Sequence, residues 1–411
     1  MLSSGRARAA SLFGATMASA FCLAAGAAAQ PAPAEQPIRI EVGGYFMGYV
    51  VAGTQRDGDN RLGQKIRNYG IARESEIFFL GSTQLNNGLI AGVRVELEGE
   101  TSGDQIDETF IFFEHIRYGR LELGQTKSAP NKMWYGAPDP VPGFGFNSPI
   151  FLTVLPGRNR ADASTFINMG ATGDEEKLSL YTPQIWGFQF GFSLTPDSCE
   201  ITGAGVCAGN AGLRTKRDIG QQQNAIEFAI THAGLLGEVA YGVYAGAGFA
   251  DVEQTNAKPG GAFRDRRQFG FGLQANWEGF TFGTSYRWDN LGNRQGPDQF
   301  FFEPTGLAPT NQQDFNAGVT YQTGPWVFGV QYHRTWVELT TDAATGSRKL
   351  DQKDRMDGFI IGGTYLLGPG IQLAGGMEYR NFRGVDRGTA GGKNDARNEG
   401  VVFMLGTRID F

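Results

Sequence analysis

The sequence predicts an all-β chain, a transmembrane antiparallel up-and-down β-barrel of about 16 strands. Three observations predict it. Apolar and polar residues alternate with period two along most of the chain, the period of a strand with one apolar face. The alternating segments are joined in turn by very short turns and by long polar stretches. The composition has 61 Gly and 31 Phe in 411 residues, with 41% hydrophobic residues, which suits many one-faced strands better than a helical core.

The N-terminus comes first. Arg6 and Arg8 precede an acid-free stretch from Ala9 to Ala28, and Ala27-Ala28-Ala29 fits the small-residue cleavage rule. Residues 1–29 therefore read as a cleaved secretory signal, and 30–411 as one barrel domain. Cys22 lies inside the apolar region and is not read as a lipid-attachment site. The mature part has 382 residues and a formal charge of −8, with 34 Lys and Arg against 42 Asp and Glu. It holds no apolar run near the ~18 residues that a membrane helix needs.

The alternation places strands at 38–51, 71–84, 89–100, 107–118, 119–126, 174–184, 187–195 and 223–232. The second eight fall at 235–249, 266–277, 280–289, 313–323, 326–337, 355–367, 371–382 and 399–411. The last is the clearest: Val401, Phe403, Leu405, Ile409 and Phe411 share one face, with Gly406, Arg408 and Asp410 on the other. Phe188, Phe190, Phe192 and Leu194 likewise oppose Gln189, Gly191 and Ser193. Short turns are expected at Asn86-Asn87-Gly88, Gly234, Glu278-Gly279, Gly324-Pro325 and Gly368-Pro369-Gly370, whose residues supply positive or fixed φ. Longer loops fall at 53–70, 196–222, 250–265, 290–312, 338–354 and 383–398.

Charge decides which face points where. Arg94, Glu96 and Glu98 share a polar face, as do Arg120 and Glu122. Packing such charges into a dry interior costs several kcal/mol each unless they are fully paired, whereas a water-filled lumen removes that cost. Sixteen strands also enclose a space too wide to fill with side chains. The polar faces therefore line a channel and the apolar faces meet lipid, with Trp and Tyr near strand ends as girdles.

Other chemistry is sparse. Cys199 and Cys207 lie close together in a Gly-rich stretch, and an oxidising compartment favours a disulfide over a metal pair, with no His or third Cys beside them. His115, His232 and His333 fall on three different strands, without a nucleophile motif that would suggest a hydrolase. Gly-rich segments such as Gly246-Ala247-Gly248 precede no helix, so neither a phosphate loop nor a cofactor is expected. Asp57-Gly58-Asp59-Asn60 lacks the closing Glu of a calcium loop, and no metal site is expected. The acidic charge disfavours nucleic acid as a partner.

Three places carry a family resemblance: the opening strand Arg39-Ile40-Glu41-Val42-Gly43-Gly44-Tyr45, the segment from Phe112 to Gln125 (FFEHIRYGRLELGQ), and the terminal Phe411. Through them the chain resembles the trimeric general porins of Gram-negative outer membranes, most closely the alphaproteobacterial branch. The resemblance implies a homotrimer among outer-membrane lipid and lipopolysaccharide, with Phe411 as the C-terminal signal read by the barrel-assembly machinery. It implies passive diffusion of ions and small hydrophilic solutes; a channel specific for one solute class is the alternative. It also implies that 127–173, the third long loop, folds into the lumen and constricts it.

The composition of that loop agrees. Pro130, Pro138, Pro140, Pro142, Pro149 and Pro156 oppose regular structure, while Met133, Trp134, Tyr135, Phe144 and Phe146 need cover. Lys127, Lys132, Arg158 and Arg160 stand against Asp139 and Asp162, so the loop is not strongly acidic. For the facing wall, Arg73, Arg94 and Arg117 are the candidates. Arg94 has the clearest phase; Glu74 and Glu114 compete for the lumen-facing role of the other two. Weak selectivity is expected, with Arg94 and Asp139 as opposed levers, while local pairing of the arginines with Glu96, Glu98 or Glu122 is the alternative.

Overall fold

The turns set the hairpins. The computed structural model describes residues 37–55, 67–99, 106–146, 170–197, 222–252, 265–292, 308–340, 349–384 and 396–411. Glu278 and Gly279 take φ of 44° and 86°, the paired positive values that match strand twist in a two-residue hairpin. The turns at Asn86-Asn87-Gly88, Gly324-Pro325 and Gly368-Pro369-Gly370 each contain one positive-φ glycine.

Between the turns run β1 (Arg39–Gln55), β2 (Tyr69–Gln84), β3 (Ile90–Glu98), β4 (Ile106–His115), β5 (Gly119–Gln125), β6 (Glu176–Tyr181), β7 (Phe188–Asp197) and β8 (Gln222–Leu236). Then follow β9 (Val239–Val252), β10 (Arg266–Trp277), β11 (Phe280–Asp289), β12 (Ala308–Thr323), β13 (Trp326–Thr340), β14 (Lys349–Gly368), β15 (Ile371–Gly384) and β16 (Ala396–Asp410). Each pairs antiparallel with its sequence neighbour, and β1 pairs with β16 from Tyr45↔Asp410 to Gln55↔Gly400, so the sheet closes. Closure leaves no unpaired edge to face hydrocarbon.

The expected inside–outside phase holds. Phe190, Phe271 and Phe403 are more than half exposed on the outer face, while Ser193, Gln268 and Gln331 are fully buried on the inner one. One turn is placed differently: Gly234 lies within β8 opposite Tyr241, and the reversal falls at Gly237, with φ 62°. Gly234 instead gives room to Tyr241, whose hydroxyl oxygen lies 3.1 Å from where a Cβ would stand. Several strands also outrun their expected ends. β12 begins at Ala308 and β14 at Lys349. The sequence of these ends, Ala308-Pro309-Thr310-Asn311-Gln312 and Lys349-Leu350-Asp351-Gln352, shows no sustained apolar–polar alternation.

Among the described residues the one helix is a single turn, α1 (Ala129–Lys132), with proline in its first turn. Pro130 is tolerated there because the first N–H groups of a helix have no intrahelical partner. Two buried apolar clusters lie between the segment after β5 and the inner wall. One contains Ala129, Met133 and Tyr244, the other Val141, Phe144, Phe146, Tyr49 and Met404.

Candidate functional site

After α1, residues 133–141 run along the inner faces of successive strands, at roughly one strand per residue. Met133 stands over Gly191 of β7, the Tyr135 carbonyl over Gly272 of β10, the Gly136 carbonyl over Gly283 of β11 and Val141 over Gly362 of β14. The fit is close. A Cβ added at Gly272 or Gly283 would come within 1.8 Å or 2.1 Å of those carbonyl oxygens. These glycines sit on the face opposite the outward Phe271 and Phe282, so the segment follows the wall inside the barrel.

Wall side chains tie it down. Gln331, fully buried on β13, donates from Nε2 to Asp139 Oδ1 at 2.8 Å and to the carbonyl of Pro138 at 3.2 Å, and accepts from Phe146 N at 2.7 Å. The Tyr49 hydroxyl donates to the carbonyl of Pro142 at 2.9 Å, and its ring meets Phe144 edge-on at 5.0 Å. At the segment's base, Glu227 of β8 accepts from Ser128 Oγ at 3.1 Å and Ala171 N at 2.6 Å. Lys177 Nζ caps the carbonyls of Thr126, Gly173 and Glu175. Sequence reasoning misses both Gln331 and Glu227. An inward Gln or Glu has no local signature, but small residues recurring on the polar faces of β9–β15 mark the bed they border.

A group of carboxylates lies on the inner faces of β2–β4. Glu74, Glu76 and Glu98 bring carboxylate oxygens within 4.8 Å of one another, and so do Glu76, Glu96 and Asp107. Glu108 adjoins them, accepting from Thr126 Oγ1 at 3.1 Å. Among the described residues, Arg94 and Lys127 contact acids of this group. Arg94 Nη2 reaches Glu96 Oε2 at 2.5 Å with its guanidinium 4.5 Å over the Phe78 ring. Lys127 Nζ lies 3.5 Å from Asp107 and 3.8 Å from Glu108. Burial works against the charge of Lys127, but attraction from Asp174, Glu108, Asp107 and Glu96 outweighs it and raises its pKa. Asp174 is pushed up to about 8, by burial first and then by Asp107 and Glu108.

Two expected wall residues are elsewhere. Arg73 is exposed on the outward face of β2 with Ile71 and Ile77, while Glu74, opposite the fully buried Met47, takes the inner position. Arg117 is exposed in the short turn Ile116–Tyr118, because β4 ends at His115 and Gly119 reverses the chain with φ 88°. Arg94 alone of the three faces inward, where it pairs with Glu96. The wall expected to be basic is predominantly acidic.

Lys132 Nζ contacts Glu122 Oε2 at 2.7 Å and Thr126 Oγ1 at 2.6 Å, above the Phe110 ring. Phe411 pairs its backbone with Gly44, with both N···O distances 3.0 Å. The histidines have separate surroundings: His115 stacks on Tyr118, His232 lies by Tyr241 and His333 lies under Phe146. Residues 1–29, the Asp57–Asn60 stretch, the cysteines Cys199 and Cys207, and Arg158, Arg160 and Asp162 lie outside the described residues.

The family model for Gram-negative porins matches residues 14–385. No curated protein matches the sequence. Among solved structures, the anion-selective porin of Comamonas acidovorans is similar with a TM-score of 0.57 at 17% identity, over 91% of this chain and 100% of that one. The outer-membrane protein OmpT of Vibrio cholerae gives 0.52 at 11%, over 91% and 98%. The outer-membrane channel DcaP of Acinetobacter baumannii gives 0.52 at 11%, over 91% and 97%. At such identities the likeness concerns the fold.

Proposed function

The chain belongs to the Gram-negative porin family, and from that membership we propose that its pore runs between the described part of the third loop, residues 127–146, and the acidic wall of β2–β4, and prefers cations. The protein is an outer-membrane β-barrel channel for passive diffusion of ions and small hydrophilic solutes.

The observation that carries the preference is the carboxylate group of Glu74, Glu76, Glu96, Glu98, Asp107 and Glu108 against Arg94 and Lys127. A ring or patch of one sign in a narrow passage favours counter-ions, and charges within a Debye length of about 8 Å act on every passing ion. Arg94 and Asp139 are weaker levers in this reading, since Glu96 and Gln331 hold them. Lys127 and Lys132 anchor the segment's start on acidic residues. The preference is opposite to that of the anion-selective Comamonas porin.

The strand lengths support a homotrimer. β5 and β6 have seven and six residues, fewer than the ~9–11 that cross hydrocarbon. Their outer face, bearing Leu123 and Leu180, is suited to packing on another copy. Phe411, closing onto β1, fits the expected role of a C-terminal signal for barrel assembly.

Reversal potentials across planar bilayers in a salt gradient test the pore. The Glu76→Gln, Glu98→Gln variant should shift the potential toward the anion side, and Arg94→Ala toward the cation side. Unchanged potentials in both variants, with conductance intact, would remove the acidic wall from the pathway. No conductance from folded parent barrels would overturn the channel itself.

A further inference from the structure

The acidic wall contains one arginine whose donors are only partly used. Arg94 gives its Nε and Nη2 to a single oxygen of Glu96, at 3.0 Å and 2.5 Å. Its Nη1 has no acceptor among the described residues, and the side chain is 35% exposed. The guanidinium is also fixed in plane. It lies 4.5 Å over the Phe78 ring, and that ring rests on Gly43 of β1, where an added Cβ would come within 2.5 Å of it. One ring and one carboxylate hold the fork while leaving an edge of it open.

The same construction recurs two strands further on, with a different outcome. Arg120 lies 4.1 Å over Phe112, which rests on Gly92. Arg120, however, gives Nε to Glu122 at 2.7 Å and Nη1 to Glu114 at 2.8 Å, and is 22% exposed. Carboxylates hold Arg120 from two sides and Arg94 from one.

Two further features adjoin Arg94. Leu80 stands directly opposite it in the β2–β3 register and is half-buried on the inner face. Glu76 lies beyond Glu96, with carboxylate oxygens of the two within 4.8 Å of each other. The Arg94 guanidinium and the Glu76 carboxylate are therefore no more than about 10 Å apart. Glu98 faces Glu76 across the register.

We infer that Arg94, Leu80 and the Glu76–Glu98 pair form a binding site for the zwitterion of an α-amino acid with an apolar side chain, an inference that rests on the pore path proposed above. The solute's carboxylate takes the open N–H groups of Arg94, its ammonium takes the acids, and its side chain lies on Leu80. The spacing agrees. The nitrogen and carboxylate of an α-amino acid are about 3 Å apart, and a charge-assisted hydrogen bond of ~2.8 Å at each end brings the span to about 9 Å. A simple amine leaves the Arg94 edge without a partner, and a simple carboxylate meets the acids with no charge to offset them. Only a solute bearing both charges complements the wall.

The test uses the mature protein in planar bilayers at pH 7, with leucine as probe and reduction of the ion current as readout. Isoamylamine retains only the ammonium, and 4-methylpentanoate only the carboxylate. Leucine should reduce the current at concentrations at least about tenfold below those of either analogue. Glycine, with no side chain for Leu80, should act more weakly than leucine. Arg94→Gln should abolish the advantage of leucine over isoamylamine, and the Glu76→Gln, Glu98→Gln variant its advantage over 4-methylpentanoate. Arg120→Gln should retain both advantages. Equal action of leucine and its two analogues on the parent channel overturns the inference without any variant, and so does a full advantage retained in Arg94→Gln. Reversal potentials of the same channels in a potassium chloride gradient separate the two readings. A cation-selective parent with no preference for leucine refutes this site alone, whereas a parent without cation preference refutes the acidic wall on which it rests.

Discussion

Gly283→Ala is the sharpest probe of how the segment sits. The added Cβ would stand 2.1 Å from the carbonyl oxygen of Gly136 and 2.9 Å from Ala137 Cα. Ordinary contact begins at 3.4 Å, so a shift of about 1.3 Å is needed to relieve the first overlap. β11 cannot easily supply it, because Gly283 is paired with Gln274 on one side and Gly318 on the other. The segment must move instead, and away from the wall means into the lumen. Overpacking of this kind costs ~1–3 kcal/mol, here against the Gln274 bond to Gly136 at 3.3 Å and the Gln331 bonds beside it. Single-channel conductance should fall and the thermal midpoint should drop. Gly368→Ala, with nothing within 4 Å of its Cβ, is the control and should match the parent in both. If Gly283→Ala also matches the parent, residues 135–137 do not rest on β11 and the account of the segment fails.

Two more outcomes follow from the same geometry. Arg placed at Phe190 or Leu273, both on the lipid-facing side, should cost ~2–4 kcal/mol in refolding into liposomes if the position is near the midplane; parent-like insertion of both variants would reverse the inside–outside phase. Asp174, raised from 3.8 to about 8, favours its protonated form in the folded state, so that contribution is full below pH 4 and is lost as pH rises through about 8. Between pH 4 and 8 the parent should therefore lose stability relative to Asp174→Asn in denaturant titrations, and parallel pH profiles would refute the burial of that carboxyl.

Much of the barrel is legible in the sequence because lipid imposes alternation. Where one face of a strand meets hydrocarbon, as at Phe188–Leu194 or Val401–Phe411, sequence and structure agree in phase. Above the membrane the constraint lapses, which is why alternation assigns the ends of β12 and β14 to loops. Gly234 reads as a turn because glycine has two uses, positive φ and close approach, and one sequence does not distinguish them. The site is less legible. Arg73 and Glu74 are adjacent, and only the pairing of Glu74 with Met47 fixes which faces inward. Arg117 sits where alternation alone would continue the strand, and Gly119 ends it. Same-face glutamates at positions 74 and 76, and at 96 and 98, are visible in the sequence. That they converge across β2 and β3 requires the register, with Glu76 opposite Glu98.

The distribution of charge inside the barrel has a common physical cause. On the wall covered by residues 129–146, ionic groups lose water, so most occur in pairs that compensate the loss, while Glu227 is held by the hydroxyls of Ser128 and Thr172 and by Ala171 N. Arg266 holds Asp289 at 2.6 Å, Arg287 holds Asp314 at 2.7 Å, and Arg380 holds Glu378. The remaining anchors there are largely neutral amides and hydroxyls, such as Gln331, Asn316 and Ser285. Across the lumen on β2–β4, Glu96 and Glu108 are buried beside Arg94 and Lys127, while the partly exposed Glu74, Glu76 and Glu98 keep access to water, which offsets their repulsion, and an acidic excess is tolerated. Covering one wall thus confines the unbalanced charge to the other, which is where it can act on a passing ion. On the proposed pore path, the packing that stabilises the segment also sets the side from which selection acts, and weakening the glycine bed should disturb selectivity together with conductance.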